Sequence, residues 1–112
     1  MAKDDYFSVV FLILKVLYIY KKKHERVNLD EISPEAFGIN QGYRDEILEE
    51  LLDEGYVKGF KVKQYITGKV LSDLENITIT PKGIEYVQDN SKMKKVAETL
   101  KDVAGLSLEL FK

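Results

Sequence analysis

Three features of this chain predict a small α+β domain. Helical apolar spacing fills its first half, two runs with strand-like alternation follow, and helix-start signals return after them. Its 112 residues are enough for one domain with its own core. We therefore expect 1–112 to be a single domain, with a core over about 4–90 and a helical extension over about 91–111.

The first helix is expected from Asp4 or Asp5, either of which can cap it, to about His24. Between Tyr6 and Tyr20 only Ser8 and Lys15 interrupt the apolar run, and Lys21, Lys22, Lys23 and Arg26 follow it. A helix that is apolar nearly all round is buried nearly all round. It is too short for a membrane, roughly 22 Å against roughly 30 Å of hydrocarbon, and Lys15 would lie deep in the bilayer. A secretory signal carries its positive charge before the apolar run, whereas here Asp4 and Asp5 precede it. No membrane association is expected.

The next segment, VNLDEISPEAFGIN, is short and irregular, with a brief strand or turn at Asn28 and Leu29. Ser33, Pro34 and Glu35 start a helix of one or two turns as N-cap, first helical residue and first-turn acid, and Gly38 ends it. Asn40 or Gly42 opens a third helix. Ile47, Leu48, Leu51 and Leu52 draw one stripe along it, and Gly55 stands where a helix-ending glycine belongs. FKVKQYI alternates through Phe60 and Val62 as a half-buried strand, Thr67-Gly68-Lys69 turns, and a second run at Ile77 and Ile79 is expected to pair with the first as a hairpin. Thr80 and Pro81 start another helix through Ile84 and Val87. Ser91 is expected to cap a last one carrying Met93, Val96, Ala97, Leu100, Val103 and Ala104. Three helices, then a two-stranded hairpin, then more helices is the order of a winged helix-turn-helix with additional C-terminal helices.

The segments DDYFSVVFLILKVLYIYKK, LDEISPEAFGI, LLDEGYVKGF and ITITPKGIEYVQDNSKMKKV resemble the YjcQ family, over Asp4 to about Lys101. The resemblance, to small bacterial and phage proteins, implies a winged-helix fold, frequent occurrence in prophages and phages and no established activity, and it brings no functional residues to carry over. The cluster KKKHER is more basic than that resemblance leads one to expect.

Composition and motifs give catalysis little support. The chain has no cysteine, so disulfides, thiolate metal sites and cysteine nucleophiles are excluded. His24 is the one histidine and lies in a solvated basic run, which makes neither a triad nor a metal site. TGKV lacks the first glycine of a phosphate loop and the hydroxyl residue after its lysine. We expect no enzyme, no cofactor and no metal, and a cytoplasmic protein. The net charge of −2 asks for neither nucleic acid nor an anionic surface in bulk.

Two binding roles remain. For double-stranded DNA, the candidate contacts are Gln41, Tyr43 and Arg44 at the start of the third helix and Lys58, Lys61, Lys63 and Lys69 on the wing. Against it, Glu46, Glu49, Glu50 and Asp53 occupy the helix face that a groove would receive. For a protein partner or a homodimer, the apolar excess of the terminal helices supplies Phe11, Leu12, Val16, Ile19, Met93, Val96, Leu100 and Val103 as candidate contacts. The acidic third helix favours protein over nucleic acid.

Overall fold

The computed structural model describes residues 5–101, with side chains over 6–100. Its helices are α1 (Asp5–Lys23), α2 (Pro34–Phe37), α3 (Gln41–Asp53), α4 (Pro81–Asp89) and α5 (Ser91–Lys101). Between α3 and α4 run four short strands: β1 (Val57–Lys58), β2 (Lys61–Tyr65), β3 (Gly68–Ser72) and β4 (Thr78–Ile79). Tight 3-10 turns occupy Leu29–Ile32, before α2, and Leu74–Asn76, before β4. The arrangement is α+β and winged-helix-like, with C-terminal helices added.

The centre is α1. On it pack α4, α5, β4 and the first 3-10 turn. Val10, Ile13, Leu14 and Leu17 are almost wholly buried, which answers the apolar excess of this segment. The helix stops where His24 takes a left-handed φ of 60°, and Lys21, Lys22 and Lys23 fill its last turn, at the negative end of the helix dipole. The caps of Asp4 and Asp5 lie outside the described side chains.

Local capping follows the sequence closely. Ser33 Oγ accepts from the Ala36 N–H at 3.2 Å, and Gly38, at φ 68°, closes α2. Asn40, not Gly42, opens α3, its Oδ1 accepting from the Tyr43 N–H at 2.8 Å. At the other end of α3 the Gly55 N–H donates to the Leu52 carbonyl and the Tyr56 N–H to the Leu51 carbonyl, both at 3.0 Å. That pair of bonds is a Schellman turn, and Gly55 at φ 83° supplies its left-handed residue. Thr80 Oγ1 accepts from the Gly83 N–H at 3.0 Å and donates to the Gly55 carbonyl at 2.6 Å, so one hydroxyl caps α4 and ties it to the end of α3. The cap of α5 is a correction. Asn90 Oδ1, rather than Ser91, accepts from the Lys92 and Met93 N–H groups at 2.9 and 3.2 Å. Asn90 also ends α4, its backbone N–H donating to the Tyr86 carbonyl at 3.1 Å, so one residue serves two helices.

Strand pairing also differs from the expectation. Ile79 pairs with Val57, and Thr78 with Lys58. The run after Phe60 pairs instead with Gly68–Ser72, from Lys61↔Ser72 to Tyr65↔Gly68. Only Ile66 and Thr67 separate the two strands, so β2 turns straight back, and closing so short a loop costs little entropy. Of the expected half-buried strand Phe60 is buried, but β2 itself, Lys61–Tyr65, is mostly in solvent, with Val62 alone partly covered. Between the β1–β4 pair and this wing the chain crosses at Gly59, φ 103°. A Cβ there would stand 2.1 Å from the Asn76 carbonyl oxygen, so only glycine fits.

Candidate functional site

The third helix and the wing face each other across a groove of about 520 Å³, whose lining includes Asp45, Glu46, Glu49, Glu50, Asp53, Lys69 and Leu71. Directly opposed residues of an antiparallel pair share a face. Val62 and Gln64 therefore lie on the side of Leu71 and Lys69, toward α3, and Lys61, Lys63, Tyr65 and Val70 lie on the other. Lys69 Nζ reaches back to Glu49 Oε2 at 2.8 Å. Its pKa is raised above the ordinary lysine value, first by that hydrogen bond and then by the charge of Glu49.

The candidate DNA contacts are thus divided. Lys58, Lys61 and Lys63 are exposed, and none has a carboxylate within ion-pair distance among the described residues. Lys69 is engaged with Glu49. Gln41 is exposed and Tyr43 half-buried. Arg44 is 9 % exposed, its Nη1 donating to the Ile32 carbonyl and its Nε to Asp45 Oδ1, each at 2.8 Å. It closes the end of the first 3-10 turn against α3, with only about a tenth of its side chain left to solvent. Tyr6 caps the acidic face from the other side, donating to Glu50 Oε1 at 2.8 Å.

The candidate dimer contacts are divided as well. Phe11 and Met93 are consumed by the chain's own core. Leu12, Val16 and Ile19 on α1 and Val96 and Leu100 on α5 are partly covered, and Val103 lies outside the described residues. Among the partly covered ones Ile19 alone does not pack on the core cluster. Beside them Lys15 is half-buried under Tyr18, with its Nζ 5.8 Å from the ring centroid, and burial holds its pKa below the ordinary lysine value.

Among the described residues no group of three or more His, Asp or Glu side chains could hold a metal ion, and no helix is long and apolar enough to cross a membrane. The wing, the helix before it and the helices that close it define a small winged-helix-like domain. The family model described as YjcQ protein matches residues 11–106, most of the chain, and the chain belongs to the YjcQ family. No curated protein and no solved structure matches it.

Proposed function

We propose that this domain is a binding module that works through protein contacts, as a homodimer or with another chain, and that it is not an enzyme. One observation carries the reading: the solvent face of α3, which a groove-reading winged helix would press on DNA, bears Glu46, Glu49, Glu50 and Asp53. The single base on that helix, Arg44, is occupied inside the fold. The same carboxylates suit a partner with a basic surface. The family resemblance adds a phage or prophage setting and, with no cysteine to oxidise, a cytoplasmic place of action.

A second reading is duplex DNA binding through the wing, with the start of α3 as a minor contributor. It is favoured by Lys61 and Lys63, which point away from α3 without acidic partners. Titrating a fluorescent random duplex at two salt concentrations separates the two. The protein-binding reading expects no measurable affinity even at low salt. Binding that weakens steeply with salt, and falls further in Lys61→Glu or Lys63→Glu, would replace it with the second reading. Light scattering across a dilution series then tells a homodimer from a partner-dependent monomer.

A further inference from the structure

A second cavity, of about 320 Å³, opens where the start of α1, the end of α3 and α4 meet. Its walls include four aromatic rings, Tyr6, Phe7, Tyr56 and Tyr86, and two carboxylates, Glu50 and Glu54. The rings come from three distant parts of the chain. Tyr6 and Phe7 meet edge to face at 5.1 Å, and Tyr56 stacks on Tyr86 at 4.4 Å. The Schellman turn places Tyr56 at this corner, directly after the last turn of α3.

The carboxylates and ring faces that line this cavity are negative. Aromatic faces are negative and attract cations. Glu50 and Glu54 stand one helical turn apart on the same side of α3, where like charges disfavour each other. The helix ends here, and its dipole adds a partial negative charge. Glu50 accepts the Tyr6 hydroxyl, but neither carboxylate has a cation within ion-pair distance among the described residues. Two of the rings already attract the chain's own ammonium groups: Lys82 Nζ lies 5.5 Å from the Tyr56 centroid and Lys92 Nζ 4.9 Å from that of Phe7. An anion would meet two carboxylates, and a hard metal ion would find rings where it needs oxygens.

We propose that this cavity binds an organic cation, a guanidinium or alkylammonium head group, presented by a basic segment of a protein partner. The inference rests on the protein-binding reading and names the chemistry of the partner. The source is argued from the surroundings: Glu46, Glu49 and Asp53 continue the negative surface along α3 from the mouth of the cavity, so a segment anchored by one basic side chain keeps finding carboxylates for the next.

The test uses the full chain, labelled with nitrogen-15. Amide shifts are followed against tetramethylammonium chloride, N-acetylarginine amide and an acetylated hexa-arginine peptide, each compared with sodium chloride at matched ionic strength. The expected result is saturable shifts at Tyr6, Phe7, Glu54, Tyr56 and Tyr86, which for the two small cations are absent from the wing amides Lys61 to Tyr65. The peptide should bind about tenfold or more tightly than the single arginine, since further charges engage once one is anchored. Glu54→Gln, at an exposed position, should weaken both several-fold without disturbing the fold, and Tyr86→Leu should abolish saturation. Shifts no larger than those in sodium chloride, or indifferent to both substitutions, would overturn the cation site. Equal affinity for tetramethylammonium and the peptide would overturn the partner segment as its source, in favour of a free small cation. A silent cavity in a chain that also ignores duplex DNA defeats this inference alone, whereas duplex binding defeats the protein-binding reading beneath it.

Discussion

The wing and α3 lie side by side and carry opposite charges. On the hairpin face turned away from α3 stand Lys61 and Lys63 with Tyr65 and Val70, while α3 turns Glu46, Glu49 and Asp53 to the groove between them. A duplex that welcomed the first would repel the second. They also differ in how they are held. The helix is anchored by Ile47, Leu48 and Leu51 deep in the core, and the wing by its own ladder, by Val62 and Leu71 at the edge of that core and by the tight crossing at Gly59. Two elements that would share one ligand in a groove-reading domain present it with opposite charges here.

The largest expected effect comes from the joint between the two regions. Gly59→Ala places a methyl group against the Asn76 carbonyl at a positive φ, and should cost about 3 kcal/mol in denaturant unfolding. A loss below about 0.5 kcal/mol would mean that the joint yields easily and that the wing is not fixed relative to α3. Arg44→Ala comes next, at about 2 kcal/mol, because it strands the buried Ile32 carbonyl. Should that variant instead keep its stability and lose duplex affinity, Arg44 would be a reading residue and the contrast between helix and wing would collapse.

Charge is the sharper probe of the comparison. Glu46→Lys with Asp53→Lys should leave stability within about 0.5 kcal/mol, since Glu46 and Asp53 are exposed, and should raise low-salt duplex affinity about tenfold or more in fluorescence anisotropy. No gain would show that α3 is not what keeps DNA away. Alkaline pH tests the aromatic corner at the end of α3. Burial raises the pKa of Tyr6, Tyr56 and Tyr86 above the ordinary tyrosine value of 10.0, and Glu50 adds to the shift at Tyr6. The folded chain thus keeps its phenols protonated to higher pH than the unfolded chain. Their contribution is complete below about pH 10 and is lost as pH rises through the raised values. Thermal melts followed from about pH 9 to 11.5 should decline, and less so in Tyr6→Phe. The smallest effect belongs to Lys69→Gln. This exposed ion pair should not move the melting temperature, and only hydrogen exchange in β3 should quicken. A clear drop in melting temperature would make the pair a structural clasp.

How far the sequence foretold this structure depends on the range of the interaction. Ser33, Asn40, Thr80 and Gly55 act on backbone groups two to four residues away, and such caps are written in neighbouring letters. Where two good caps stood together, Asn90 and Ser91, adjacency alone did not choose between them. Alternation at Ile77 and Ile79 revealed a strand without its partner, because a period of two says which face is buried and not against what. Arg44 is a candidate DNA contact by its place among donors at the start of α3. Its hydrogen bond to the Ile32 carbonyl depends on a chain reversal that brings the two together, which no local pattern announces. The aromatic cavity was the hardest to foresee, since Tyr6, Tyr56 and Tyr86 meet only once α1, the end of α3 and α4 have packed.

The two-residue ladder between β1 and β4 has a consequence for the chain as a polymer. It closes a ring around everything from Gly59 to Ile77, and the entropy of closing a ring grows with the free chain inside it. The β2–β3 ladder ties off most of that length, leaving the ring in effect as Gly59 and Phe60 on one side and Asp73 to Ile77 on the other. Unzipping the hairpin would lengthen the ring again, so the pairing of Val57 with Ile79 would weaken with every one of its own contacts still in place.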